Sequence, residues 1–421
     1  MSAGTPPPPW LPRKAMARLE EALDSSRVVA LLGARQSGKS TLAREIARRR
    51  GGTYASLDDE DTRAAVSRDP SGFLQARAPL VIDEFQRAGD PLLRAVKRSV
   101  DDDATPGRFL LTGSTRYTTM PNLSESLAGR VEIVDLWPLS QGEIHRAGDG
   151  LVDRLFGPTQ GLRRIHPEPA SRDRTFERIT AGGYPTAYAR PARTRDRWYD
   201  AYLRTLTQRD VREFSRAQEL EALPRLLRLL AGRTAQEFNA ADVARDLGMP
   251  RTTLPTYLAL LETVYLVHRL PAWSTNLTKK AVKHPKLHFV DAGLAAHLLG
   301  MGAAALSSPT STVSGPLLET FVAGELARQL TWSEVSADLL HFRDRDGAEV
   351  DCILEARDGR IAGIEVKCSG TVTAGDFRGL DVLEDRLGSR FANGIVLHLG
   401  ERTLPFGDHR TALPLAALWE A

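Results

Sequence analysis

The sequence has 421 residues, more than one hydrophobic core ordinarily serves, so about two to four domains are expected. Hydrophobic residues make up 42% and charged residues 26%, an ordinary soluble composition, and no apolar run approaches the roughly 20 residues that would span a bilayer. The formal net charge of +3 leaves any basic surface for nucleic acid to be a local one.

The N-terminus, MSAGTPPPPWLPRKA, has no apolar h-region, so no secretory signal is expected. Cys352 and Cys368, the two cysteines, lie outside any C-x-x-C pair. They read as small core residues of a cytoplasmic protein, with no disulfide and no metal role. Only eight of the 56 basic residues are lysines: Lys14, Lys39, Lys97, Lys279, Lys280, Lys283, Lys286 and Lys367. Lysine is a compact charge that shifts its pKa readily, as arginine does not, so a lysine kept in so arginine-rich a chain is a candidate for a specific role.

The apolar run RVVALL, residues 27–32, predicts a buried parallel strand. It leads directly into GARQSGKS, a full G-x-x-x-x-G-K-[ST] match, and then into the helical KSTLAREIARR. Backbone N–H groups of Gly33, Ala34, Arg35, Gln36, Ser37, Gly38, Lys39, Ser40 and Thr41 would cradle the phosphates of ATP. Lys39 would reach the β- and γ-phosphates, Ser40 would bind Mg²⁺, and the helix would point its positive end at the nucleotide. The strand APLVIDEFQ ends in the acids such a site needs, with Asp83 for Mg²⁺ and Glu84 to activate the attacking water. A third strand, RFLLTGST, would bring Ser114, with Thr112 behind it, to sense the γ-phosphate. Arg130, closing SLAGR, is either an arginine finger, in cis or from a neighbouring subunit, or an ordinary surface residue.

From about residue 138 to 175 the chain is rich in Gly, Pro and Arg and reads as loop and lid. AADVARDLG and MPRTTLPTYLALLETVYLV predict two helices about a Gly248 turn, which is either a helix-turn-helix DNA reader or a helical spacer. The following stretch holds Lys279, Lys280, Lys283 and Lys286, which would form either a wing on phosphates or a solvated basic loop. Residues 300–316, small and polar, predict an inter-domain linker.

Beyond the linker, a helix carries Glu319, and LLHFR, AEVDCIL and IAGIEVKC predict three strands with Asp-Gly turns. Asp351 sits among apolar neighbours, where an unpaired carboxylate is costly. A hairpin would put Asp351, Glu365 and Lys367 on one face. There Asp351 and Glu365 would clamp a second Mg²⁺ or Mn²⁺, Lys367 would serve the attacking water or the phosphorane, and Glu319 would complete the set. The order E…D…E-x-K resembles the restriction-endonuclease-like nucleases.

GARQSGKSTL, LDDEDTR, VIDEFQR, LLTGST, SLAGRVEIVDLWPLS, GGYP, QRDV and IEVKCSG together resemble a bacterial and archaeal family of AAA-type ATPases. Members of that family carry a C-terminal domain of unknown function related to those nucleases. The resemblance implies an α/β protein of three parts: a P-loop AAA core over 1–175, a helical, winged-helix-like module over 176–300 and a restriction-endonuclease-like domain over 301–421. The resemblance leaves the biological role undefined; the residues lead us to expect Mg²⁺-dependent ATP hydrolysis coupled to action on nucleic acid, DNA before RNA, with self-association through the ATPase domain and no membrane. Three readings stay open on sequence alone: an ATPase joined to a working nuclease, a regulatory ATPase whose nuclease-like end only binds, or a toxin-like protein whose nuclease is held in check.

Overall fold

The computed structural model of the chain describes residues 11–116, 127–207, 222–274 and 284–421. The QRDV segment, residues 208–211, lies outside them. Two compact units form: one runs to Leu139 and includes Leu261–Leu266, the other holds Ser140–Leu260 and Val267–Ala421.

Five short strands build the first unit: β1 (Val28–Leu32), β2 (Thr53–Ser56), β3 (Leu80–Asp83), β4 (Phe109–Gly113) and β5 (Val131–Asp135). They pair in the order β2-β3-β4-β1-β5, every pairing parallel. β1 lies between β4 and β5 and is wholly buried, as its continuous apolar sequence predicts. The helices Ala15–Ser25 and Lys39–Arg50 pack Leu19, Leu23, Leu42 and Ile46 against Val29, Leu31, Val81 and Leu110. All the strands run one way, so the loop after β1 and the polar ends of β3 and β4 emerge on the same sheet edge, where α/β proteins bind ligands.

In the second unit, the helices Leu223–Gly232, Ala240–Leu247 and Leu254–Thr263 accompany a small antiparallel sheet of β6 (Gln236–Glu237), β7 (Val267–Leu270) and β8 (Lys286–Phe289), with β8 in the middle. Gly248, at φ 65°, ends the second of these helices in the left-handed conformation that glycine tolerates. The helix Ser314–Gln329 follows, then β9 (Ala337–Arg343), β10 (Glu349–Ala356) and β11 (Ile361–Lys367), an antiparallel meander. The helix Arg378–Leu387 leads to β12 (Phe391–His398), parallel to β11, and β13 (Leu404–Pro405) and β14 (Arg410–Pro414) complete a six-stranded mixed sheet. The two sheets of this unit are joined along the chain: the Trp273 N–H donates to the His341 carbonyl at 2.6 Å and the His341 N–H to that of Pro271 at 3.0 Å.

Two sequence expectations need correcting. The stretch read as loop and lid holds the short helices Gln141–His145, Leu151–Leu155 and Thr159–Arg163, with Leu151, Val152, Leu155 and Leu162 buried. Asn393 on β12 donates to the Leu155 and Gly157 carbonyls at 2.8 and 3.0 Å, so this segment is part of the second unit's packing. Its apolar side chains outweigh its Gly and Pro content. The expected linker also holds structure. Ala303–Ser307 is helical with Leu306 buried, and the buried Ser314 hydroxyl donates to the Leu306 carbonyl at 2.6 Å.

Candidate functional site

The loop after β1 is shaped by two glycines. A Cβ on Gly33 would stand 2.2 Å from the Leu136 carbonyl oxygen, so only glycine lets the loop lie against the end of β5. Gly38, at φ 101°, turns the chain into the helix Lys39–Arg50 through the left-handed region. Lys39 is buried, and its Nζ donates to the Gly33 and Ala34 carbonyls at 3.0 and 2.9 Å, folding the ammonium over the cradle. Arg13, which sequence reasoning missed, clasps the loop from outside. Its Nη1 donates to the Ser37 carbonyl and its Nη2 to that of Trp137, both at 2.7 Å. No local motif marks Arg13, because its partners lie 24 and 124 residues away.

Asp83 ends β3 nearly buried and accepts three hydroxyls: Ser40 Oγ at 3.2 Å, Tyr54 OH at 2.5 Å, and Thr112 Oγ1. Burial and the Asp83 carboxylate push the Tyr54 phenol up to about 12, so it stays a donor. Thr112 therefore braces Asp83, and its hydroxyl also accepts the Glu84 N–H at 3.2 Å. Glu84 takes the left-handed conformation at φ 56°. Its Oε2 accepts from Gln86 Nε2 at 2.5 Å and from Ser114 Oγ at 3.3 Å. The sequence thus predicted a cluster of Lys39, Ser40, Asp83, Glu84 and Ser114; the structure assembles it and adds Tyr54 and Gln86. A serine hydroxyl beside a carboxylate is a hard-oxygen donor pair that fits Mg²⁺.

Arg130 does not join this group. It precedes β5, whose first residue, Val131, is level with Val28, whereas the cradle follows Leu32, level with Asp135. The two lie at opposite edges of the sheet, about 16 Å of strand apart. Arg130 Nε and Nη2 instead hold the two Asp101 carboxylate oxygens at 2.5 and 3.2 Å. A finger in cis is excluded.

In the second unit, Asp351 on β10 and Glu365 and Lys367 on β11 come together with Glu319 from the helix Ser314–Gln329. The Val366 N–H donates to Asp351 Oδ2 at 2.9 Å, and Lys367 Nζ to Glu365 Oε1 at 2.8 Å. A fifth residue dominates the cluster. Lys286, on the central strand β8, is 2% exposed and places its Nζ 2.7 Å from Glu319 Oε1, 2.7 Å from Glu349 Oε1 and 3.2 Å from Asp351 Oδ1. This corrects its reading as a phosphate contact. Lys279, Lys280 and Lys283 lie outside the described residues. Burial opposes the Lys286 charge, but Glu319, Asp351 and Glu349 outweigh it and hold the ammonium well above the ordinary lysine range. Burial and Asp351 push Glu319 up while Lys286 draws it back, and at 2.7 Å we take the pair as ionised. Burial, then Asp351, push Glu365 up to about 8 against the pull of Lys367.

The predicted second metal does not fit this arrangement. Of the four carboxylate oxygens on Asp351 and Glu365, three already accept from Lys286, Val366 and Lys367, and only Glu365 Oε2 is buried without a hydrogen bond. No group of His, Cys, Asp or Glu among the described residues is arranged to hold a metal ion. Cys352 and Cys368 are free thiols. No helix among the described residues is long and apolar enough to cross a membrane.

With this geometry, the N-terminal unit is a P-loop ATPase domain of the AAA class, and residues 25–145 match the AAA domain family. Residues 172–305 and 314–418 match two domain families of unknown function. The chain belongs to the family of two uncharacterised mycobacterial proteins, Rv2008c of Mycobacterium tuberculosis and Mb2031c of Mycobacterium bovis. It is 32% identical to each over 410 residues, 96% of this chain and 83% of the relative. Among solved structures, the Walker-type ATPase PabY2304 of Pyrococcus abyssi matches at 16% identity with a TM-score of 0.40, over 69% of this chain and 96% of that one. A RuvB variant of Thermotoga maritima matches at 19% identity with a TM-score of 0.30, over 61% of this chain and 89% of that one.

Two measurements follow from the side-chain geometry. Arg130→Ala removes only a partly exposed ion pair, so ATP turnover should stay within about twofold of wild type. A loss of a hundredfold or more would assign Arg130 to a neighbouring subunit's site. Glu365 binds its proton more tightly folded than unfolded, so its contribution to stability falls as pH rises from the ordinary carboxyl value of 4.5 towards about 8. Thermal melts between pH 5 and 8 should show Tm declining, and Glu365→Gln should flatten that slope.

Proposed function

We propose that this protein hydrolyses ATP with Mg²⁺ and uses the cycle to act on nucleic acid, DNA before RNA, through a C-terminal domain that binds without cleaving. The observation that carries the ATPase reading is the convergence of Lys39, Ser40, Asp83, Glu84 and Ser114 on one sheet edge. Lys39, turned onto its own loop carbonyls, would exchange those acceptors for the β- and γ-phosphates of the substrate. Ser40 and Asp83 would hold Mg²⁺, which when bound neutralises charge on the phosphate oxygens. Glu84, kept by Gln86 and Ser114, would orient the attacking water and take its proton. Thr112 and Tyr54 fix Asp83 so that the metal-binding pair is formed before nucleotide arrives.

The nucleic-acid reading has two supports. The order helix, β6, helix, helix, β7, β8, with β8 central, supports a winged-helix reading of the middle module. The order helix, β9, β10, β11, helix, β12 is compatible with a restriction-endonuclease-like core, in which Glu319, Asp351, Glu365 and Lys367 would be the active-site residues. Among the described residues, the helix Leu254–Thr263 and the turn before it expose Arg251, Thr252, Pro255, Thr256 and Ala259, so Arg251 is the cation this helix offers to a groove. Non-cleavage rests on the engagement of three of the four Asp351 and Glu365 oxygens by Lys286, Val366 and Lys367.

Lys39→Ala should abolish turnover and sharply weaken nucleotide binding, whereas Glu84→Gln should bind ATP and leave it unhydrolysed. Measured by phosphate release and nucleotide titration, wild-type turnover in Lys39→Ala would remove the ATPase assignment. Incubated with Mg²⁺ or Mn²⁺, the wild-type protein should shift duplex and branched DNA in a binding assay and leave every strand intact. Strand breaks lost in Asp351→Asn would overturn the non-cleaving reading.

A further inference from the structure

We propose that the Lys286 ammonium is the resident cation of the C-terminal carboxylate site, standing where a metal-dependent enzyme would carry a divalent ion. This deepens the non-cleaving reading and is independent of the ATPase. An ammonium has three N–H donors. Lys286 has three carboxylate partners, on the helix Ser314–Gln329 and on β10, at 2.7, 2.7 and 3.2 Å. The three carboxylates match the three donors, and the side chain is 2% exposed. A divalent ion among the same oxygens would lie against a positive charge. Lys286 does not leave easily either, because its backbone is paired on both sides, to Glu237 on β6 and Leu270 on β7. Its proton is also held by the three acids.

The site therefore works as an ionic clasp. It binds the small sheet, from the module matching residues 172–305, to the acids of the domain matching 314–418. Removing the ammonium should convert the clasp into a metal site, because Glu319, Glu349 and Asp351 would remain as hard oxygen donors around a vacated volume. A cavity of about 460 Å³, lined by Ala235, Gln236, Glu237, Lys286, Arg343 and Glu349, lets an ion reach it from outside.

The test uses the full chain without nucleotide, with Mn²⁺ as the probe, read by electron paramagnetic resonance and by melting. The wild type should bind no Mn²⁺ that Asp351→Asn removes, and its Tm should not respond to Mn²⁺. Lys286→Ala should melt roughly 6–20 °C lower, since removing one partner strands buried charge. It should gain one Mn²⁺ per chain, regain Tm on adding Mn²⁺, and lose both effects with Asp351→Asn added. Asp351-dependent Mn²⁺ binding by the wild type overturns the assignment, as does a folded Lys286→Ala protein that binds none. If Lys286→Ala does not fold, Lys286→Arg keeps the charge and should fold without binding Mn²⁺, and the wild-type titration still decides. Mn²⁺ bound by the wild type without strand cleavage sinks the resident cation alone, whereas cleavage sinks the non-cleaving reading with it.

Discussion

An ammonium taken out of water must find its counter-charges or the fold that buries it fails, and Lys286 imposes that demand on the whole second unit. It is met only if β8 lies central in its small sheet, the helix Ser314–Gln329 presents Glu319, and β10 presents both Glu349 and Asp351. The pairing of β9 with β10 shifts register between Val350 and Ile353, so Asp351 lies inside an irregular stretch and Glu349 just before it. Other contacts point the same way. Thr320, next to Glu319, shares a hydrogen bond with Thr234 at 2.8 Å and lies 3.3 Å from His288 on β8. Burial, then His268, Lys286 and His341, hold His288 well below the ordinary imidazole range, so it adds no second cation beside Lys286.

The first unit solves a related problem by other means. Asp83 is also nearly buried, but its partners are the hydroxyls of Ser40, Tyr54 and Thr112. A hydroxyl is neutral and can turn from donor to acceptor, so it satisfies the carboxylate without cancelling its charge. Ser40 can then give its oxygen to a cation, while Tyr54 and Thr112 keep the acid in place. Lys39 likewise donates to neutral backbone carbonyls, those of Gly33 and Ala34, which an anionic phosphate outcompetes.

The nucleotide site was legible in the sequence because its logic is local. Strand, glycine loop, lysine and helix follow one another within GARQSGKSTL, and Asp83 and Glu84 close a contiguous apolar strand. Thr112 and Ser114 were found with their strand, though their division of labour was not, since it depends on which acid each hydroxyl meets. The C-terminal trio was half legible: period-two alternation and a hairpin are enough to bring Asp351, Glu365 and Lys367 to one place. Lys286 was misread because its four-lysine neighbourhood resembles a solvated basic loop. Nothing within 30 residues announces a partner, and the acids that claim it lie 33 to 65 positions further on. The sequence leaves Arg130 open between a finger and a surface residue, because a motif gives order along the chain but not which edge of the sheet a residue reaches.

The two acid sites use one ligand chemistry and differ in what stands beside it. Around Asp83 the neighbours are replaceable oxygens, so negative charge remains available to a cation from solution. Around Asp351 the neighbours are an ammonium, a backbone amide and a second lysine paired to Glu365, so the negative charge is already spoken for by groups the chain itself supplies. The carboxylates alone do not distinguish a metal site from a clasp. The distinction lies in whether a charged donor stands among the neutral ones, and at Asp351 that charged donor comes from β8, outside the domain whose motif pointed to a metal.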